Sequence, residues 1–175
     1  MDAVIVYESM FGDTRRVAEA IARGMTSSAT VTLVNVNDAG RGFPKADLVL
    51  VGGPTHVHGL SRSQTREEAV VWTQDPARHL DLEKGAPGIG IREWLDDLTG
   101  PVGDFVAFDT RADAARLLTG SAADHIDKEL RKAGGHAFAE PESFLVHDNA
   151  LGDAELTRAE ELGRVLVRPD VADAR

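Results

Sequence analysis

The chain has 175 residues, a size that suits one domain with a substantial core and leaves little room for two. It contains no cysteine, which excludes disulfides, thiolate metal sites, iron–sulfur clusters and a cysteine nucleophile. Its formal net charge of -10 disfavours nucleic acids and acidic membranes as partners and favours basic ones. Without a signal-peptide pattern or a stretch of roughly 20 apolar residues, we expect a cytoplasmic protein with no membrane insertion.

Strand and helix patterns alternate along the chain. Unbroken apolar runs predict buried parallel strands at residues 4–7, 48–51 and 105–108, and an alternating run at residues 31–36 predicts a strand nearer the sheet edge. A fifth strand is predicted in two pieces, residues 136–139 and 143–146, because Pro141 cannot donate to an interior ladder.

Helical spacing of apolar residues predicts the helices between these strands. The first runs over residues 17–25, and others are expected at 91–98, after Ser121 and after Asp153. Between the second and third strands, Gly40, Gly42 and Pro44 leave room for only a turn or two of helix.

This alternation predicts an α/β protein, a doubly wound five-stranded parallel sheet between two helical layers. Ligands of such sheets bind beyond the carboxyl ends of the strands, where the segments 9–14, 53–60 and 109–121 should converge. The irregular stretch of about 56–90, with a short helix at 65–72, predicts a lid or insertion. The residues 169–175 are expected to form a frayed tail.

The loop from Ser9 to Thr14 has the features of a phosphate-binding loop. It joins an apolar strand to a helix, whose first N–H groups lack intrahelical acceptors and lie at the positive end of the helix dipole. Ser9 and Thr14 offer hydroxyl groups, and Gly12 permits a tight turn. The loop matches neither G-x-x-x-x-G-K-[ST] nor G-x-G-x-x-G, which favours a monophosphate over a triphosphate or a dinucleotide.

The sequence S-M-F-G-D-T at residues 9–14 resembles the T-x-T-G-x-T phosphate motif of the flavodoxin family. Residues 46–55 are similar to the third strand of that family and its following G-x-P-T loop. The resemblance extends over residues 1–168 and implies a flavodoxin-like fold, a strand order of 2-1-3-4-5 and a bound FMN. It also implies a cofactor site made of Ser9, Met10, Phe11, Gly12, Asp13 and Thr14 at the phosphate, Pro54, Thr55, His56, Val57, His58 and Gly59 at one face of the ring, and Asp109, Thr110, Arg111 and Gly120 at the other.

Some positions depart from the family pattern. Phe11 replaces a usual hydroxyl residue, and Asp13 replaces an asparagine, so its carboxylate must turn away from a phosphate or weaken binding. Few aromatic residues are available to stack on a flavin ring, and Trp72 is the candidate within the 56–90 segment. Trp94 lies on an apolar helical stripe and is interpreted as structural.

His56 and His58 suggest a hypothesis about proton chemistry. A protonated histidine would stabilise negative charge on a nearby flavin or pass it a proton. A peptide flip at Gly59 would offer the ring either a donor or an acceptor. No third ligand accompanies the two histidines, so no metal site is predicted, and no catalytic residue is assigned.

The sequence therefore predicts an FMN-binding protein that exchanges electrons with a basic redox-partner protein or a small quinone-like acceptor. An NAD(P)H-dependent FMN or quinone reductase of the same fold remains an alternative. A flavodoxin-shaped binding protein that has lost the flavin is another, suggested by Phe11, Asp13 and the missing aromatics.

Overall fold

A twisted sheet with the order β2-β1-β3-β5-β7-β8 forms the centre of the molecule, as a computed structural model that describes residues 1–168 shows. Its strands are β1 (Asp2–Tyr7), β2 (Thr30–Asn35), β3 (Leu48–His56), β4 (Gly59–Leu60), β5 (Asp104–Ala112), β6 (His136–Ala137), β7 (Glu142–His147) and β8 (Ala150–Leu151). The helices are α1 (Asp13–Met25), α2 (Ser63–Trp72), α3 (Ile91–Asp96), α4 (Arg116–Thr119), α5 (Ala122–Lys132) and α6 (Asp153–Leu166).

The five long strands are parallel, and their order confirms the predicted doubly wound arrangement. β1 pairs with β2 and β3, and β5 lies between β3 and β7. The interrupted last strand is also present: β6 and β7 both pair with β5, in succession along it. The winding reverses at β1 and β3, so the carboxyl ends of these strands frame a binding crevice.

Two apolar layers hold the helices against the sheet. α1 and α6 pack on one face, with Ile5, Ile21 and Phe108 among the fully buried side chains. α3 and α5 cover the other face, where Trp94 is 3% exposed, as its stripe predicts. The apolar runs of the central strands are thus buried on both sides, which is why they lack polar alternation.

Several elements extend beyond the sequence prediction. β3 continues through Gly52, Gly53 and Pro54, because these residues stay in parallel register with Phe108, Asp109 and Thr110 of β5. Gly52 is required there, since a Cβ would lie 2.1 Å from the Phe108 ring. The short helix α4 and the short strands β4 and β8 were not predicted. In place of a second full helix, residues Val36–Asp38 form one 3-10 turn.

The segment that was interpreted as a lid contains β4, α2 and a 3-10 turn at Pro76–Arg78. The predicted frayed tail lies outside the described residues. Within residues 1–168, no helix combines the length and the apolar character that crossing a membrane requires.

Candidate functional site

A cleft of about 490 Å³ opens at the carboxyl ends of β1, β3 and β5. This volume lies within the range of small-molecule and cofactor sites. Four segments line the cleft: the predicted phosphate loop, the end of β3, the end of β5 and the turn between β7 and β8. Their lining residues are Ser9, Met10, Phe11, Asp13, Thr14, Pro54, Thr55, His56, Thr110, Arg111, Ala112, Asp113, Val146, His147, Asp148 and Asn149, and Trp72 and Leu80 add one side wall.

The loop from Ser9 to Thr14 leads directly into α1. Gly12 has a φ of 99°, the left-handed region that favours glycine, and its N–H donates to the Ser9 Oγ at 3.1 Å. Thr14 is buried, and its Oγ1 lies 2.7 Å from the Thr110 Oγ1 at the end of β5. Two hydroxyl groups and the first N–H groups of a 13-residue helix therefore meet at one end of the cleft.

The charged side chains of this loop are held by other parts of the protein. The Asp13 carboxylate lies 3.4 Å from the Arg16 guanidinium and accepts a hydrogen bond from the Leu151 N–H. Burial raises the pKa of Asp13. Arg15 donates to Glu83 and to Glu19, both at 2.6 Å. Because its charge is matched by two carboxylates, Arg15 supplies little net charge to the cleft.

Residues 54–60 form a tight β-hairpin in place of an open loop. Val57 and His58 occupy the turn with φ of 40° and 71°, and the Val57 side chain is 80% exposed. Gly59 lies in β4 and pairs with His56. The positive φ angles of this hairpin are those of Val57 and His58, and not of Gly59. The hairpin packs on Gly120, where a Cβ would lie 2.3 Å from the His58 carbonyl oxygen.

The hypothesis of a protonated His56 is wrong. Burial, together with the nearby Arg66 charge, lowers the pKa of His56 to about 4. Its imidazole is therefore neutral at neutral pH, and it lines the cleft. His58 lies at the exposed hairpin turn and does not line the cleft.

Asp109 does not line the cleft, in contrast to the prediction for the second loop. The residue is fully buried, and its Oδ2 accepts hydrogen bonds from Thr55 Oγ1, Ser121 Oγ and the Ala123 N–H at 3.0, 2.7 and 2.9 Å. Asp109 therefore joins the ends of β3 and β5 to the beginning of α5. Ser121 also caps that helix through the Asp124 N–H, as its position predicts.

Six of the predicted cofactor residues are thus absent from the cleft lining: Gly12, Val57, His58, Gly59, Asp109 and Gly120. Arg111 remains in it, and its Nη1 donates to the Ala114 carbonyl at 2.8 Å.

Sequence reasoning missed the turn between β7 and β8. Asp148 and Asn149 adopt φ of 47° and 61°, a conformation that short Asx side chains tolerate and that two-residue hairpins need. This turn brings His147 to 3.5 Å from Asp113 at the edge of the cleft. The Asp148-Asn149 pair, between His147 and Ala150, was the available signal.

Trp72 reaches the cleft from the end of α2. Its ring stacks on Phe11, with centroids 6.4 Å apart and an interplanar angle of 24°. The guanidinium carbon of Arg78 also lies over the Trp72 ring, 5.4 Å from its centroid. Phe11, the departure from the usual hydroxyl residue, therefore supports an aromatic wall.

The chain is similar to the flavodoxin family over about half of its length. The family model for flavodoxin matches residues 5–90, the part that carries the phosphate loop and the strand-three loop. Proteins of this family bind FMN. No curated protein sequence matches the chain.

Solved structures share the fold over nearly all of the chain. A flavodoxin from the domain Archaea is 19% identical, with a TM-score of 0.62 and coverage of 98% of this chain and 99% of that one. Flavodoxin 1 from Bacillus cereus is 15% identical, with a TM-score of 0.66 and coverage of 95% and 97%. A WrbA-like flavodoxin from Agrobacterium tumefaciens is 18% identical, with a TM-score of 0.58 and 99% coverage of both chains.

The residues present fit an FMN phosphate and ring. Hydroxyl groups and helix N–H donors suit the phosphate. The Asp13 carboxylate interacts with Arg16 and Leu151, which reduces its repulsion of a phosphate. The cleft volume is large enough for the ring.

Proposed function

We propose that this protein binds FMN noncovalently in the cleft and works as an electron carrier. The observation that carries this proposal is the juxtaposition of the Ser9–Thr14 loop with Thr110 at one end of a cofactor-sized cleft. Bound FMN would supply the redox chemistry by accepting and releasing electrons.

The protein's own residues would bind and orient the cofactor. Ser9, Thr14 and the first N–H groups of α1 would hold the phosphate, and Trp72 and His56 would form walls near the ring. The neutral His56 imidazole can offer a hydrogen bond but adds no positive charge. Asp113 and Asp148 line the cleft as well. Because their carboxylates would repel the negative charge that a bound flavin gains on reduction, they would oppose its full reduction.

The electron partner would be a basic protein or a small quinone-like acceptor. Support comes from the net charge of -10, which attracts a basic surface over a distance. The exposed Val57 and Leu117, 80% and 93% accessible, would offer apolar contacts to such a partner.

An NAD(P)H-dependent FMN or quinone reductase is the second candidate. It is supported by the likeness to the WrbA-like structure and by the long 60–90 segment beside the cleft. Steady NADPH oxidation with a quinone, measured with FMN-loaded protein and no added reductase, distinguishes the two. Oxidation dependent on this protein favours the enzyme, and its absence favours the carrier.

The test of the proposal itself is the visible spectrum of the purified protein with and without added FMN. A bound flavin band and quenched flavin fluorescence are expected. Neither would appear if the chain were a flavodoxin-shaped binding protein that had lost the flavin.

A further inference from the structure

A second cleft of about 500 Å³ lies beside the β3–β4 hairpin. The hairpin, the first turn of α2, Arg92 of α3 and His125 of α5 form its walls. Within the described part of the chain, His56 is the one residue that lines both this cleft and the cofactor cleft. We call it the hairpin cleft.

Two arginines give the hairpin cleft a positive character in a protein of net charge -10. Arg92 donates to the carbonyl oxygens of Leu60 and Ser61 at 2.8 and 3.0 Å, which fixes its guanidinium at the wall. Arg62 is exposed and makes no side-chain capping bond to α2. Glu68 is the carboxylate among the lining residues.

Three imidazoles add hydrogen-bonding capacity to the same walls: those of His56, His58 and His125. Burial lowers the pKa of His125, and the charge of Arg92 lowers it further. Glu129 opposes this shift, Lys128 adds a smaller lowering effect, and Asp96 adds a smaller opposing one. Burial and the charge of Arg66 likewise lower the pKa of His56. An arginine charge therefore acts on each ring, Arg66 on His56 and Arg92 on His125.

We propose that the hairpin cleft binds the phosphate or pyrophosphate group of a small molecule other than the flavin. A guanidinium held by backbone carbonyls is pre-organised, and arginine recognises phosphate oxygens through paired N–H donors. The neutral imidazoles of His56 and His125 can each donate one N–H to the same oxygens. The hairpin cleft shares His56 with the cofactor cleft, but its two arginines, Arg62 and Arg92, lie outside the cofactor cleft.

Binding of pyrophosphate, followed by NMR of the full chain, tests this proposal. The imidazole signals of His58 and His125 report on the hairpin cleft, and the amide signals of Gly12 and Thr14 report on the phosphate loop. Saturable shifts of the imidazole signals at millimolar pyrophosphate are expected, with a rise in the His125 pKa, because a nearby anion favours the charged ring. Shifts confined to the Gly12 and Thr14 amides, or no shifts, would overturn the proposal.

Substitutions of Arg62 test whether this arginine contributes to pyrophosphate binding. Arg62→Ala is expected to weaken pyrophosphate binding about tenfold, the loss typical of one charge-assisted contact, and Arg62→Lys to weaken it less. Arg23→Ala is the matched control, since Arg23 lies beside Glu160 on the opposite face of the sheet. Equal affinity of Arg62→Ala and the unchanged protein would contradict the assignment.

A comparison of pyrophosphate with NADPH separates the sources of the phosphate. Tighter binding of NADPH at the same imidazole signals indicates a dinucleotide, and equal binding indicates a free phosphate compound. Both results support a phosphate site in the hairpin cleft.

Discussion

The carboxylate of Glu8 accepts a hydrogen bond from the backbone N–H of Ile91, at 2.8 Å from its Oε2. Its other oxygen accepts from the Ser61 hydroxyl, which also accepts from Arg66 at 2.9 Å. Arg66 continues the network to Glu93 at 2.9 Å. Glu8 is 3% exposed and precedes the first residue of the phosphate loop, so this network fastens the 61–91 segment to the candidate cofactor site.

Replacing Glu8 with alanine should destabilise the protein by about 2–3 kcal/mol, because it leaves the buried Ile91 N–H and Ser61 hydroxyl unsatisfied. Denaturant unfolding measures the loss, and hydrogen exchange should show faster exchange in residues 61–91 than elsewhere. Glu67→Ala, an exposed change in the same segment, is the control. Equal stability of the two variants would contradict the role of the network.

Glu8 should also give the stability a characteristic pH dependence. Burial raises the pKa of Glu8 above its ordinary value, so the folded protein binds this proton more tightly than the unfolded chain. The resulting stabilisation is present below the unfolded pKa and is lost as the pH rises through the folded pKa. The free energy of unfolding of Glu8→Gln, relative to that of the unchanged protein, should therefore be higher at pH 8 than at pH 4. Parallel stability curves at the two pH values would refute this.

His56 should give the stability the opposite pH dependence to that caused by Glu8. Its pKa of about 4 lies below the unfolded value, so its contribution is present above pH 6.5 and is lost as the pH falls towards 4. At pH 4 the loss in the free energy of unfolding should reach at most about 3 kcal/mol, which corresponds to the pKa shift. His56→Gln should not show this loss, because glutamine does not titrate. NMR titration of the imidazole gives the direct check, and a midpoint near 6.5 would contradict a buried neutral ring.

The two tryptophans provide a matched pair for locating bound flavin. Trp72 lines the cofactor cleft, whereas Trp94 is buried and donates to the Gly40 carbonyl at 2.8 Å. FMN should quench the fluorescence of Trp72, so Trp72→Phe should lose most of the quenching and Trp94→Phe should retain it. Quenching that survives Trp72→Phe would place the ring elsewhere.

Much of the fold could be predicted because its signals are local. Apolar runs such as residues 48–51 mark buried parallel strands, and the loop before α1 carries its glycine and hydroxyl groups in six consecutive residues. The contact of Thr14 with Thr110 follows from the sheet order, which brings the ends of β1 and β5 to one crevice.

Other features depend on contacts between residues distant in sequence. Nothing near Asp109 indicates that its carboxylate is buried under Ser121 and Thr55. Val57 is a poor residue for a positive φ, so the two-residue turn of the hairpin could not be predicted from turn propensity. The neutral state of His56 arises from its burial and from Arg66, ten residues away along the chain.

The phosphate loop has its own test in Thr14. Thr14→Val keeps the shape of the buried side chain but removes a hydroxyl group that would face the phosphate. FMN affinity should fall about tenfold, as expected for one charge-assisted hydrogen bond. Thr26→Val, at the other end of α1, should leave the affinity unchanged. Fluorescence titration with FMN measures both, and equal affinities would remove Thr14 from the site.

Parallel titrations of the flavin-free protein with FMN and with riboflavin test the central claim most directly. The two ligands share the ring and differ in the phosphate, which the loop from Ser9 to Thr14 would hold. The account predicts saturable FMN binding that is at least about 100-fold tighter than riboflavin binding, from two or more charge-assisted contacts to the phosphate. Equal affinity for both, or no binding of FMN, would contradict it.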